Sequence, residues 1–188
     1  VTTLDRLLYD NSETVLPWVN DPSYRFIYGD FANPQVLSDA LAGMTDVIFL
    51  AGLVGDPITK TYPSESRKIN EDAYTGGIPL LNGRGLNRVI FVSTCSNYGL
   101  IKGDQIASEE FELAPLSLYA KAKVEIERTL LGLKGSVDYT PTVLRFATAF
   151  GLSPRMRFDL TISEFVREVW LGRELLVYDP DTWRPYCH

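Results

Sequence analysis

The chain has 188 residues and a formal charge of −6, a length that suits one ordinary domain and a balance that argues against a nucleic-acid binder with a basic face. At 45% hydrophobic and 12% aromatic it can bury a core rather than stay disordered, and no apolar run approaches the roughly 18 residues of a membrane span. Cys95 and Cys187 are too few for a disulfide framework or a four-cysteine zinc site, and the only histidine is His188, so no metal site is expected and any chemistry must rest on Tyr, Lys, Ser/Thr or carboxylates.

Short apolar, β-branched runs at 1–4, 24–28, 46–50, 88–92, 142–146 and 174–178 predict strands, separated by longer helical patterns. The runs at 46–50 and 88–92 are almost continuously apolar, which fits strands covered on both faces of a parallel sheet. Asn33 before Pro34 predicts a capped helix start, with Gly43 past its end. From 64 to 81 the pattern is less regular, because Gly76, Gly77 and Pro79 should break or kink a long helix. Between 117 and 133, Leu118, Ala122, Ile126 and Leu130 recur on one helix face with charges opposite. Thr161-Ile-Ser-Glu164 reads as a capping box for a last helix that Gly172 closes. Repeated strand–helix–strand order predicts an α/β fold with right-handed crossovers. The polar stretch 153–157 marks a change of spacing after Gly151, so residues 1–151 read as one domain and 152–188 as the start of a second lobe.

Tyr119-Ala-Lys-Ala-Lys123 places a phenol and an ammonium on one helix face. A neighbouring ammonium favours the phenolate and brings a tyrosine toward use as a general acid or base; the alternative is an amphipathic helix with a solvated lysine. Upstream, the strand at 88–92 runs into Ser93-Thr94-Cys95-Ser96-Asn97-Tyr98-Gly99. Ligands of open parallel sheets bind beyond the carboxyl ends of strands, where these hydroxyls could donate to a substrate; an ordinary hydroxyl-closed turn is the other reading. Ala51-Gly52-Leu53 ends the run at 46–50 with small residues that allow close backbone approach. Asp5 ends the first run, where a carboxylate can bind a ribose 2′-OH and repel a 2′-phosphate, or can serve as a surface cap.

With these residues in register, the sequence resembles the extended short-chain dehydrogenases/reductases, specifically the NAD-dependent epimerase/dehydratase family acting on nucleotide sugars. The resemblance runs through the whole chain. It implies a Rossmann-like doubly wound parallel sheet in three αβα layers. Residues 1–5 resemble the second strand with its ribose-binding Asp5, Gly29-Asp30-Phe31 the element contacting adenine, and Phe49-Leu50-Ala51-Gly52 the segment along the cofactor pyrophosphate and ribose. Asn70 resembles a helix Asn on the cofactor side, and Phe146 lies in a segment, 145–151, similar to the one near nicotinamide. Thr94 stands at the catalytic Ser/Thr position, and Tyr119 and Lys123 match the YxxxK pair, which also touches cofactor. Cys95, Ser96, Thr148 and Arg184, together with Thr94, fall on the substrate side, and 184–188 resembles an Arg-Asp-aromatic-aliphatic-His stretch.

The departures are equally specific. No glycine-rich first strand–turn–helix is present, and because that strand lies between those carrying Asp5 and Ala51 in the family's sheet order, a slot is expected there. The opening at Val1, with Met only at 44 and 156, reads as part of a longer chain. Phe49 stands where many members have His and Thr148 where many have Asn; Cys95-Ser96 replaces an Asp-Glu pair resembling the 4,6-dehydratase signature. The resemblance therefore implies an NAD-dependent nucleotide-sugar epimerase. In it Tyr119 takes a proton from a sugar hydroxyl while hydride passes to nicotinamide, Lys123 holds the cofactor ribose and tunes Tyr119, and Thr94 orients the substrate oxygen. A dehydratase, reductase or decarboxylase of the same family, or an inactive fragment, are the alternatives. A cytoplasmic homodimer without nucleic-acid or membrane partners is expected, the helix at 117–133 offering either a dimer face or a core face.

Overall fold

A computed structural model describes residues 1–188, apart from the side chain at position 56. Strands β1 (Thr2–Asp5) and β2 (Arg25–Tyr28) pair in parallel, Asp5 opposite Tyr28. A second parallel sheet has the order β3 (Asp46–Phe49), β4 (Arg88–Thr94), β5 (Thr140–Phe146), and two short strands, β6 (Thr148–Ala149) and β7 (Tyr186–Cys187), form a third parallel pair. Among the described residues no ladder joins β1 to β3. Every described pair is parallel because each crossover carries the chain back to the same end of the sheet, which gathers the carboxyl ends of the strands on one side.

The helices follow from local signals. Asn33 accepts from the amides of Gln35 and Val36 at 3.0 and 3.4 Å and starts α1 (Pro34–Leu41). A short α2 (Asp56–Thr61) precedes α3 (Pro63–Arg67), a π turn over Lys68–Asp72, α4 (Ala73–Gly77) and a 3-10 turn over Ile78–Leu81. The expected break at Gly76, Gly77 and Pro79 therefore amounts to a tightening at the end. Pro79 falls in the first turn of the 3-10 segment, where its missing N–H is not needed. Ser117 caps α5 (Leu118–Gly132) by accepting from the Ala120 amide at 3.1 Å. In α6 (Thr161–Trp170) the cap residue is Leu160 and makes no side-chain bond, so Thr161 lies inside the helix and the expected capping box is not formed; Gly172 does close it, bonding back to Val169.

The core lies on one face of the β3–β5 sheet. Phe49, Val89 and Phe91 pack there with Leu37 and Leu41 of α1, Tyr74 of α4 and Ile126 and Leu130 of α5. Phe31, Phe49, Tyr74 and Phe91 meet edge to face or tilted at centroid separations of 5.0–5.9 Å, geometries that suit the ring quadrupoles. The opposite face is open: Ile48 and Leu144 are exposed, so covering on both faces, and with it the three-layer expectation, is met on one face only. The run at 174–178 forms no strand; Leu175, Leu176, Val177 and Tyr178 are exposed and have no neighbouring strand to bond, and the last ladder forms at Tyr186–Cys187 instead.

Between β4 and α5 the chain must turn back beneath Ala114. Gly99 adopts φ +67°, and a Cβ there would collide with the Ala114 carbonyl, whose amide bonds Asn97 at 3.0 Å. Gly99→Ala combines a backbone outlier with a backbone clash, so it should lower the unfolding free energy by about 3 kcal/mol, read from urea midpoints.

Candidate active site

β4 ends on Thr94, whose hydroxyl accepts from the Ser96 amide at 3.1 Å and closes a 3-10 turn over Cys95–Tyr98. Because the amide occupies one lone pair, the hydroxyl proton of Thr94 stays available for donation. Tyr119 sits in the first turn of α5, and Lys123 one turn later, its Nζ 5.7 Å from the Tyr119 ring centroid. That ammonium is buried, 4% exposed, donating to the Val92 carbonyl at 3.0 Å and lying 4.5 Å over the Phe91 ring. Burial pulls the Lys123 ammonium down to about 8, and the Glu127 carboxylate opposes the fall. Tyr74, whose hydroxyl donates to the Ala51 carbonyl at 2.6 Å, is pushed well above the ordinary tyrosine range by burial, with Tyr119 adding to it.

Beyond the carboxyl ends of β1 and β3 lies a cavity of about 460 Å³, bordered by Asp5, Asp30, Phe31, Ala51 and Gly52. Asp5 accepts from the Leu7 amide at 2.6 Å; Asp30 pairs with Arg6 at 2.7 Å and accepts from the Ala32 amide at 2.9 Å. Gly52 has φ +153°, and a Cβ there would stand 2.9 Å from the Asn70 Oδ1. Asn70 itself does not border the cavity. From the π turn its amide accepts from Leu53 N–H at 2.8 Å and donates to the Leu53 carbonyl at 3.0 Å, so it fixes the loop from beneath. Leu50 is exposed, and Phe146, half exposed, pairs in register with Thr94. The carboxylates, the aromatic wall and the bare backbone at Gly52 fit the adenosine side of a dinucleotide: acceptors for ribose hydroxyls, a flat surface, and close approach.

On the other side of Thr94, Arg184 donates to the Thr148 hydroxyl at 3.4 Å, and Cys187 meets the Ala147 carbonyl at 3.8 Å. Burial pushes the Cys95 thiol up, while the Arg184 charge works against it, so Cys95, Thr148 and Arg184 share one neighbourhood. Ser96 contributes its backbone N–H to Thr94.

Sequence reasoning missed the polar cluster under this site. Glu127, 1% exposed, accepts from Ser93 Oγ at 2.5 Å and Asn97 Nδ2 at 2.6 Å through one oxygen, and from Arg145 Nε and Nη2 at 3.0 and 2.8 Å through the other. Arg145 also donates to the Tyr98 hydroxyl at 3.2 Å and the Glu109 carbonyl at 2.9 Å, and the Glu127 hydrogen bonds push its ionisation further up. The signal was the spacing: Glu127 continues the Tyr119–Lys123 stripe by one more turn. Among the described residues no group of His, Cys, Asp and Glu could hold a metal ion.

The low Lys123 value has a measurable consequence. Between pH 8 and 10 the unfolded chain keeps a lysine proton that the native state has lost, so stability rises with pH by up to about 1.4 kcal/mol per unit. Below pH 8 both states are protonated and that slope vanishes; above about pH 9 the raised Cys95 thiol, and above pH 10 the raised tyrosines Tyr74 and Tyr139, pull the other way, because the unfolded groups ionise first. Lys123→Met should flatten the rise, as measured by urea unfolding at several pH values.

The likeness to known proteins spans the chain. The low-salt glycan biosynthesis protein Agl12 of Haloferax volcanii is 24% identical over 187 residues, covering 95% of this chain and 57% of its own length. The N-acetyl-α-D-glucosaminyl-diphospho-ditrans,octacis-undecaprenol 4-epimerase of Escherichia coli O157:H7 is 28% identical over 125 residues, 65% of this chain and 37% of that protein. A crystal structure of a double mutant of DesIV, a dTDP-glucose 4,6-dehydratase of Streptomyces venezuelae with NAD bound, superposes with a TM-score of 0.86 at 25% identity, over 100% of this chain and 58% of the other. This chain thus spans about half the length, or less, of the curated relatives it matches. The profile of the NAD dependent epimerase/dehydratase family matches residues 1–188, and the chain belongs to that family.

Proposed function

We propose that this protein is an NAD-dependent nucleotide-sugar epimerase in which Thr94, Tyr119 and Lys123 form the reacting set. The observation that carries the reading is the Tyr119–Lys123 pair on α5, with its ammonium bonded to the carbonyl two residues before Thr94, at the carboxyl end of a parallel sheet. Tyr119 takes a proton from a sugar hydroxyl and returns it to the oxygen after the sugar carbon has been reset. Lys123 supports the phenolate of Tyr119 through its charge, which a buried, low-dielectric setting strengthens. Thr94, with one lone pair taken by Ser96 N–H, donates its own proton to the substrate oxygen.

NAD, when bound, supplies the reversible two-electron oxidant for the sugar carbon. Asp5 would take the ribose diol, Asp30 and Phe31 the adenine side, Leu50, Ala51 and Gly52 the backbone approach, and Lys123 and Phe146 the nicotinamide side, with Asn70 acting through Leu53. Thr94, Cys95, Ser96, Thr148 and Arg184 would face the sugar nucleotide, with residues 152–188 opening the substrate lobe.

The DesIV likeness favours a second reading, dehydration. Cys95-Ser96, however, stands where the 4,6-dehydratase pattern has an acidic pair, and a thiol pushed up by burial is a poor proton donor for expelling water. Tyr119→Phe should lower kcat by about 10²–10⁴-fold on whichever UDP-, GDP- or dTDP-sugar is turned over, with the NAD dissociation constant moved less than about threefold. Unchanged turnover would overturn the assignment. A product of unchanged mass indicates epimerisation, and one lighter by a water indicates dehydration.

A further inference from the structure

We infer that Glu127 is a positioning residue for this reaction: its buried carboxylate fastens together the three elements that carry or border Thr94, Tyr119 and Lys123. The inference rests on the reading of those three residues as the reacting set.

Each of the three elements reaches the carboxylate by a separate bond. From β4 and its closing turn, Ser93 and Asn97 flank Thr94 and both donate to Glu127 Oε1. From β5, Arg145 donates twice to Oε2, at the residue before Phe146, which pairs with Thr94 in register. From α5, Glu127 lies one turn beyond Lys123 and two turns beyond Tyr119. Loosening that knot would let Thr94 drift relative to Tyr119, and a displacement of about 1 Å at reacting groups costs on the order of 10²-fold in rate. The same carboxylate is the charge that supports the Lys123 ammonium against burial.

The groups around Lys123 leave Glu127 as its source of negative charge among the described side chains. On its own helix stand Tyr119 and Glu127; β4 offers the Val92 carbonyl and the Phe91 ring; β5 offers Arg145, already bound to Glu127. From the α4 side comes Tyr74, a neutral phenol at working pH, and on α2 the described charged residue, Lys60, is exposed.

Two variants test this. Glu127→Gln keeps the shape and the acceptor for Ser93 and Asn97 but turns an amide N–H toward Arg145, which is only 16% exposed and would lose its counter-charge while keeping its bonds to Tyr98 and the Glu109 carbonyl. Glu127→Gln/Arg145→Met removes both charges, an exchange that buried pairs often tolerate, and so keeps the test readable if the single variant fails to fold. In the folded variant kcat should fall at least about tenfold with KM within about threefold, and the alkaline rise in stability assigned to Lys123 should begin below pH 8. A folded double variant with kcat within twofold of the parent and the rise still starting at pH 8 would overturn the inference and leave a structural role only. Tyr119→Phe runs alongside: if it too keeps full turnover, the reading of the reacting set has failed, whereas an inactive Tyr119→Phe beside a fully active double variant condemns Glu127 alone.

Discussion

A carboxylate taken out of water costs several kcal/mol unless its lone pairs and its charge are met inside the protein, and Glu127 meets that demand with four donors from three side chains. The donors come from β4, its closing turn and β5, so satisfying one charge fixes the relative placement of a helix and two strands. Hydrophobic packing alone would not do this. Ile126 and Leu130 hold α5 against Phe91 and Val89, but apolar contacts tolerate sliding, whereas hydrogen bonds to a single oxygen do not. The register of α5 on the sheet, and with it the placement of Tyr119 and Lys123, depends on the buried bonds of Glu127 near the middle of that helix.

The same logic operates beside the cavity with an amide in place of an acid. Asn70 sits in the π turn between α3 and α4, where its side chain accepts from the Leu53 amide and donates to the Leu53 carbonyl, with a second donation to the Ser66 hydroxyl at 3.3 Å. The loop after β3 thereby gains the partner that a neighbouring strand would supply, and Gly52 can hold φ +153° because no Cβ competes with the Asn70 oxygen. Tyr74 adds a third tie to this loop through the Ala51 carbonyl. A region without side-chain bulk is thus made rigid by groups that lie beneath it, and its upper surface is left as bare backbone bordering the cavity.

Much of the fold was legible in the residues. The apolar runs at 46–50 and 88–92 became β3 and β4 within a few residues, and Asn33-Pro34 and Ser117 began helices as their side chains require. What failed was inference from local pattern to tertiary cover. The continuous apolar strands implied helices on both faces, yet Ile48 and Leu144 face outward, since a run of β-branched residues records what a strand could bury rather than what stands over it. The run at 174–178 fails for the same reason: its composition suits a strand, but a strand exists only where another backbone meets it. Conversely β5 begins at Thr140-Pro141, ahead of the apolar run, because it lies at the edge of its sheet, where a residue without an N–H can be accommodated.

The site was legible where chemistry shows in residue type and hidden where it depends on burial. Thr94, Tyr119 and Lys123 could be picked out as a hydroxyl cluster and a pair one turn apart. Glu127 continues their spacing by one turn, but residue type does not report burial: Lys121, Glu125 and Arg128 of the same helix carry charges too and are exposed. The fold separates these charges into an exposed set and a buried pair. Lys123 and Glu127 lie where α5 passes over the ends of β4 and β5, and there the sheet supplies the Val92 carbonyl and Arg145 as partners in place of water. Two opposite charges one turn apart on a helix are usually a weak surface pair. Buried against a strand end, the carboxylate supports an ammonium that burial discourages, and that ammonium stands 5.7 Å from the Tyr119 ring centroid. The burial that residue type does not report is also what strengthens these charges, beside Tyr119 on the same helix.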